Sequence, residues 1–134
     1  MSGGEQRASD APRPQALVVD DDRDCANSLV LLLDIIGYRA AAVYDGAAVL
    51  DAVAALHPNV ILLDISLPQV NGYDLARMVR AQYPTITLIA ITGWARDEDR
   101  AQALDAGCDL HLAKPVNLET LRRALAMLPR RDAV

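Results

Sequence analysis

Acidic side chains follow two apolar segments of the chain, at the points where strands are expected to end. Asp20 and Asp21 come directly after the apolar residues 16–19, and Asp64 follows the apolar residues 60–63. Apolar runs of this length between polar flanks are typical of strands buried on both faces. Carboxylates at the ends of such strands would meet at one edge of a sheet, where they repel one another unless a cation compensates. The pattern therefore predicts a site for a small divalent metal ion.

Two further apolar segments would deliver Thr92 and Lys114 to the same edge. Thr92 follows residues 86–91, and Lys114 follows residues 109–113. A carboxylate can act as a nucleophile and form an acyl phosphate. A lysine supplies a positive charge for a phosphoryl oxygen, and Mg²⁺ prefers a few carboxylates together with water and phosphate oxygens. The combination of residue types predicts phosphoryl chemistry that depends on positioning and charge neutralisation.

Strands and helices are predicted to alternate along the chain. The predicted strands are 16–19, 39–44, 60–63, 86–91 and 109–113. The predicted helices are 23–36, 47–56, 73–82, a fourth that begins at 97 and stops at the glycine at 107, and a fifth from 117 to the proline at 129. Asp22 and Asn117 are expected to cap helices, and Gly37 is expected to end one. This alternation predicts an α/β fold, a doubly wound parallel sheet with its ligand edge at the carboxyl ends of the strands.

Short segments of the chain, taken in order, resemble the receiver domains of response regulators in two-component signalling. They are Leu-Val-Val-Asp-Asp-Asp at 17–22, Leu-Asp-Ile-Ser-Leu-Pro at 63–68 with Asn-Gly at 71–72, Ala-Ile-Thr-Gly at 90–93 and Ala-Lys-Pro at 113–115. The resemblance covers residues 15–128. It implies a flavodoxin-like three-layer sandwich with helices on both faces of five parallel strands in the order 2-1-3-4-5.

The resemblance assigns chemical roles to the acidic residues. It implies that Asp64 is the phosphoacceptor and that the cofactor is Mg²⁺. It further implies that Asp21 binds the metal directly, that Asp20 binds it through water, and that Asp64 and the backbone carbonyl of Ser66 complete the protein ligands.

The resemblance also implies a switch. Thr92 resembles the hydroxyl that moves toward the phosphoryl oxygens, and Lys114 resembles the lysine that pairs with them, with a cis bond to Pro115. His111 occupies a switch position that often carries Tyr or Phe in the family, and its imidazole would swing between buried and exposed states. We further hypothesise that Trp94 overhangs the phosphoryl site and hinders the water that hydrolyses the acyl phosphate.

A protein of this kind is expected to be a signalling switch. The phosphoryl group would come from a phosphohistidine on a sensor histidine kinase or a histidine phosphotransferase. Phosphorylation would change the surface made of the fourth helix, fifth strand and fifth helix, which would bind a downstream protein target or form a homodimer. The chain would catalyse its own phosphorylation and dephosphorylation without being a conventional turnover enzyme.

Composition narrows the class of protein further. The 134 residues carry a net charge of -5, which disfavours binding to nucleic acid or to anionic membranes. No signal peptide is evident and no apolar run is long enough to span a bilayer, so we expect a soluble, cytoplasmic protein. One receiver domain at 15–129 is expected between a flexible tail at 1–14 and a short C-terminal tail at 130–134. Cys25 and Cys108 are expected to be reduced thiols.

Several alternatives stay open at this point. The chain is interpreted as a stand-alone receiver, and the rival interpretation is the receiver of a hybrid histidine kinase. A phosphorylation-independent interaction module is a weaker alternative. A flavodoxin is disfavoured because the charges of Asp20 and Asp21 would repel the FMN phosphate. A haloacid-dehalogenase-like phosphatase is disfavoured because Ser66 stands where a second aspartate is required.

Overall fold

The computed structural model describes residues 13–68, 70–93 and 96–128. The strands are β1 (Gln15–Val19), β2 (Arg39–Val43), β3 (Val60–Asp64), β4 (Thr87–Thr92) and β5 (Leu110–Ala113). The helices are α1 (Arg23–Ile36), α2 (Val49–Leu56), α3 (Gly72–Gln82), α4 (Asp97–Asp105) and α5 (Leu118–Met127), with a 3₁₀ turn at Gly46–Ala48 before α2. Among the described residues no helix is both long and apolar enough to cross a lipid bilayer.

All five strands form one parallel sheet in the order β2-β1-β3-β4-β5. The predicted doubly wound sheet and its strand order are therefore confirmed. The three central strands are buried along their whole length except for the first residue of β1, as expected for strands covered on both faces. The edge strands β2 and β5 are only half-buried apart from the exposed first residue of β2.

Two apolar layers hold helices on the two faces of the sheet. On one face Leu29 and Leu33 of α1 and Leu121 of α5 pack on inward side chains of β1, β3 and β4. On the other face the sheet packs against α2, α3 and α4. Within α4 only Ala103 is buried, so this helix has the fewest buried residues of the five.

Capping residues begin and end the helices close to the predicted positions. The Asp22 side chain accepts a hydrogen bond from the Cys25 amide, and the Asn117 side chain accepts one from the Thr120 amide. Gly37 ends α1 with a φ of 121°, a backbone conformation that favours glycine. These three predicted caps are confirmed.

The element boundaries differ from the predictions by one or two residues, and the difference that affects the site is in β4. This strand was predicted at 86–91 but runs through Thr92, which pairs with Ala113 of β5. The reason is that the backbone ladder continues past the apolar run, since the Lys114 amide donates to the Thr92 carbonyl at 2.8 Å. Thr92 is consequently held in the sheet rather than in the loop after it.

The other boundary differences arise at helix and strand ends. A 3₁₀ turn replaces the first residues of the predicted second helix, and the fourth helix ends at Asp105, before the glycine predicted to stop it. Arg13, predicted as part of the N-terminal tail, pairs with Asp34 of α1 at 3.0 Å. The rest of that tail through residue 12, and the proline at 129 with the residues after it, lie outside the described residues.

Arg80 ties together two loops at the amino ends of β4 and β5. Its guanidinium donates to the Gly107, Pro84 and Ile86 carbonyls and pairs with Asp109 at 2.9 Å. The same Asp109 oxygen accepts the amide of Leu88. This network lies at the end of the sheet opposite the predicted site and stabilises the strands that present it.

Candidate functional site

The predicted site residues lie at the carboxyl ends of four adjacent strands. Asp20 directly follows β1, and Asp64 is the last residue of β3. Thr92 is the last residue of β4, one position beyond the residue paired with Asp64. Lys114 directly follows β5. Because the strands are parallel, residues as far apart in sequence as Asp64 and Lys114, 50 positions, meet at one edge.

Three carboxylates converge at this edge. Oxygen atoms of Asp20, Asp21 and Asp64 all lie within 4.8 Å of one another. Asp20 and Asp64 are buried and Asp21 is exposed, so the cluster has a closed inner side and an outer side open to solvent. Asp20 and Asp21 lie directly after β1, and Asp64 ends β3. Because β1 and β3 pair in parallel, this pairing fixes the separation of the three carboxylates.

Each buried carboxylate is oriented by a backbone amide two residues later. The Asp22 amide donates to Asp20 Oδ1 at 3.0 Å, and the Ser66 amide donates to Asp64 Oδ1 at 2.9 Å. The second oxygen of each group faces Lys114. Its Nζ atom lies 3.1 Å from Asp20 Oδ2 and 3.2 Å from Asp64 Oδ2.

Burial and charge set the protonation of the two buried carboxyl groups. Burial raises the pKa of Asp64, and the neighbouring Asp20 raises it further, against the lowering effect of the Ser66 hydrogen bond. Burial also acts to raise the pKa of Asp20. The hydrogen bonds that Asp20 accepts, above all the one from the Asp22 amide, outweigh this effect, so the pKa of Asp20 lies below its ordinary value. The two groups therefore titrate as a pair in two separated steps.

Lys114 keeps its charge in this environment. Burial acts to lower the pKa of Lys114, but the close approach of Asp20 and the charge of Asp64 outweigh burial and raise the pKa above its ordinary value. The ammonium group is therefore a permanent cation at neutral pH. It can pair with any anion that approaches the two carboxylates.

The donor set fits a hard divalent cation. Asp20 Oδ2 is buried and accepts no hydrogen bond of acceptable geometry from the described residues, although Lys114 Nζ is 3.1 Å away. A buried carboxylate oxygen in this state is costly unless a cation approaches it. The cluster offers oxygen donors only, which suits Mg²⁺ or Ca²⁺ better than softer metals.

The loop after β3 places Ser66 beside Asp64. A Cβ atom built on Gly72 would lie 2.5 Å from the Ile65 Cα atom and 2.6 Å from the Ile65 carbonyl oxygen. The first residue of α3 therefore packs against the backbone that carries Ser66, and only glycine permits this approach. In the sequence Gly72 was noted as part of a segment that resembles the family, and this contact was not predicted, because packing between two backbones leaves no pattern in one chain.

Thr92 and His111, the two predicted switch residues, lie on the last two strands. Thr92 is buried at the same edge, whereas His111 lies three residues before Lys114 within β5. The peptide bond between Lys114 and Pro115 is cis, as the resemblance implied. Trp94 lies outside the described residues, so its role stays a prediction.

Cys25 adjoins the site and was not predicted as part of it. Both cysteines are free, as expected. Burial, followed by a hydrogen bond from the thiol to Asp20, raises the pKa of Cys25 to about 11, so the thiol is protonated at neutral pH and acts as a donor. The available sequence clue was its position in the first turn of α1, three residues after Asp22. A cavity of about 260 Å³ beside it is lined by Cys25, Ser28, Leu29, Ile91, Lys114, Pro115 and Val116.

Comparison with known sequences places the chain among signalling proteins. Residues 16–126 match the family model described as the response regulator receiver domain. The chain is 35% identical over 115 residues to the response regulator MprA of Mycobacterium avium (strain 104), an alignment that covers 86% of this chain and 50% of that protein. The chain thus spans about half the length of the curated relatives it matches.

Solved structures with the same architecture include receiver domains. A CheY-like receiver domain protein from Methanospirillum hungatei JF-1 is similar with a TM-score of 0.80 and 29% identity, over 86% of this chain and 92% of that one. A response regulator from Burkholderia pseudomallei, solved with a phosphorylated aspartic acid, a calcium ion and citrate, is similar with a TM-score of 0.78 and 26% identity. That similarity covers 89% of this chain and 69% of the Burkholderia chain.

Proposed function

The chain belongs to the response regulator receiver domain family, and on that premise we propose that Asp64 accepts a phosphoryl group from a phosphohistidine of a partner protein. The observation that carries this proposal is that Lys114 pairs with buried Asp64 and also with a second carboxylate of the acidic cluster, Asp20. Phosphoryl transfer requires an oxygen nucleophile, a fixed cation and a site for a divalent metal ion. Asp64, Lys114 and the acidic cluster supply these three components.

The metal is Mg²⁺ in this proposal. Asp20, Asp21 and Asp64 would hold it with the Ser66 backbone carbonyl, Asp20 acting through water. The calcium ion named with the phosphorylated Burkholderia relative supports an oxygen-lined divalent site in this family. When bound, the metal supplies charge neutralisation for the phosphoryl oxygens.

The protein residues perform the transfer by orientation. The Ser66 amide holds one Asp64 oxygen, so that the carboxylate keeps one orientation. An Asp64 oxygen forms the new bond to phosphorus as the bond from phosphorus to the donor's imidazole nitrogen breaks, and the imidazole leaves. Lys114 turns from the carboxylates toward a phosphoryl oxygen, and the Thr92 hydroxyl donates to another.

The output is a change of surface. Movement of Thr92 toward the phosphoryl group pulls on the segment that leads into α4, and His111 follows in β5. The surface formed by α4, β5 and α5 then binds a downstream protein target or a second copy of the chain. The domain is a switch that catalyses its own phosphorylation and dephosphorylation and is not a turnover enzyme.

The partners follow from the donor chemistry. A sensor histidine kinase or a histidine phosphotransferase supplies the phosphohistidine, which places the domain in the cytoplasm. The acidic charge of the chain, -5, gives this domain no attraction to nucleic acid or to anionic membranes. The proposal concerns the receiver domain at 15–129.

Intact-mass spectrometry after incubation with Mg²⁺ and acetyl phosphate tests the proposal. We expect an addition of about 80 Da to the wild-type chain. The addition should be absent in Asp64→Asn and unchanged in Asp105→Asn, which alters an aspartate on the exposed side of α4. A wild-type chain that gains no mass, or an Asp64→Asn chain that gains it equally, would overturn the proposal, and the first result would favour a phosphorylation-independent interaction module.

A further inference from the structure

His111 carries a buried polar atom that the proposed chemistry does not use. Its Nε2 atom is inaccessible to solvent and has no hydrogen-bond partner among the described residues, although the rest of the side chain is half-buried. A buried imidazole nitrogen without a partner is costly, and the cost rises when the ring becomes a cation.

The position of His111 in β5 directs it toward α4. Successive side chains of a strand point to opposite faces of a sheet. Leu110 and Leu112 belong to the apolar layer under α1 and α5, so His111 between them faces the side that α4 covers. Its register partner in β4 is Ala90, which brings no charge.

The charged groups that shift the pKa of His111 come from α4. They are Asp99 and Arg100, and their effects oppose one another. Burial, and then the charge of Arg100, lower the pKa of His111, against the smaller raising effect of Asp99. Asp99 is engaged by Arg96 at 3.1 Å, and its carbonyl accepts the Tyr73 hydroxyl of α3 at 3.4 Å. One carboxylate oxygen of Asp99 and its backbone carbonyl therefore already have partners on α4 and α3.

The helix above His111 contributes few buried side chains to the core. Ala103 is the one buried residue within α4, and Leu104 is exposed on the same helix. We expect a helix with few buried apolar side chains to open locally more readily than a well-buried one. We propose that protonation of His111 drives its imidazole out from beneath α4, so that mild acidification loosens the packing of α4 on β5.

The proposed loosening of α4 by acid concerns the unphosphorylated protein. Only the consequence of this loosening for signalling rests on the proposed function. Acidification would act on the output surface of α4 and β5 independently of Asp64. The experiment therefore omits both Mg²⁺ and the phosphoryl donor, so its result does not depend on whether Asp64 accepts a phosphoryl group.

Amide hydrogen exchange in α4 tests the proposal, with rates corrected for intrinsic exchange chemistry. The chain has two histidines, and His57 at the end of α2 provides the matched control. Between about pH 7.5 and about pH 5.5 we expect protection of α4 amides to fall roughly threefold or more in wild type and in His57→Gln, and not in His111→Gln. An equal fall in His111→Gln, or no fall in wild type, would overturn the proposal.

An NMR titration of the wild-type chain gives a second measurement if His111→Gln does not fold. The α4 amide resonances should move with the midpoint of the His111 ring protons. Resonances of α4 that follow His57, or that do not move as His111 titrates, would contradict the proposal.

Discussion

Lys114 forms an ion pair with Asp64, with Nζ 3.2 Å from Oδ2, although the two residues are 50 positions apart in the sequence. The same ammonium group reaches Asp20 at 3.1 Å. In the metal-free protein one lysine therefore partly neutralises two buried carboxylates. A bound metal ion would compete with Lys114 for these carboxylates. A phosphoryl group on Asp64 would take the place of the Asp64 carboxylate as a partner of Lys114.

Replacing Lys114 should strengthen metal binding while it weakens phosphorylation. In Lys114→Met the cation that repels an incoming divalent ion is gone, so we expect Mg²⁺ affinity to rise at least about threefold. The rate of phosphorylation should fall, because no ammonium pairs with the phosphoryl oxygens. Titration calorimetry and intact-mass time courses measure the two effects. Weaker Mg²⁺ binding in the variant would show that Lys114 supports the metal site rather than competing with it.

Removing the charge of Asp64 should stabilise the metal-free protein. Because the folded state raises the pKa of Asp64, ionisation of this carboxyl opposes folding above its ordinary pKa near 3.8. We expect Asp64→Asn to gain about 0.5–2 kcal/mol in free energy of unfolding at neutral pH. The gain should be complete above the raised pKa and disappear as the pH falls toward 3.8.

Urea denaturation of wild type and Asp64→Asn across that pH range, without divalent ions, measures this gain. Asp105→Asn is the control, since its side chain is 82% exposed. A loss of stability in Asp64→Asn at neutral pH would contradict the view that the buried charge is a cost to the fold.

Gly72→Ala should disturb the loop that carries Ser66. The new methyl group would meet the Ile65 backbone at 2.5 Å, which flexible side chains cannot relieve. We expect a loss of about 2–4 kcal/mol in free energy of unfolding, with weaker Mg²⁺ binding. Gly93→Ala is the matched control, because no atom lies within 4 Å of a Cβ built there. Equal effects of the two substitutions on stability would remove the close approach as the cause.

Arg80→Met should destabilise the fold without touching the site. It would remove the guanidinium donor from three backbone carbonyls and from the Asp109 carboxylate, at an expected cost of about 2–4 kcal/mol. Arg77→Met is the control on the same helix, since half-exposed Arg77 pairs with exposed Asp74 at 2.8 Å and reaches Asp105 at 3.8 Å. Its expected cost is below about 1 kcal/mol by the same denaturation measurement.

Much of the fold was predictable because apolar runs and helical patterns alternate. The runs at 16–19 and 60–63 are long enough for buried strands, and a parallel sheet brings the residues after such runs to one edge. That geometric rule is why Asp20, Asp64 and Lys114 could be expected together before their distances were known. The end of β4 was harder to predict, because Thr92 is polar and a backbone ladder does not stop where apolarity stops.

Contacts that depend on the three-dimensional path of the chain were not predictable from one sequence. The hydrogen bond between the Cys25 thiol and Asp20 had only one clue in the sequence, the position of Cys25 in the first turn of α1. The approach of Gly72 to Ile65 depends on two backbones and leaves no pattern. The network of Arg80 is likewise built mostly on carbonyl groups, which every residue possesses.

The proposed function depends above all on Asp64, and not a neighbouring carboxylate, accepting the phosphoryl group. Borohydride reduction after incubation with Mg²⁺ and acetyl phosphate converts an aspartyl phosphate to homoserine, and peptide sequencing by mass spectrometry locates it. We predict homoserine at position 64 in wild type, with none at positions 20 and 21. Homoserine at either of those positions, or unmodified Asp64 in a chain that has gained phosphate, would contradict the proposal.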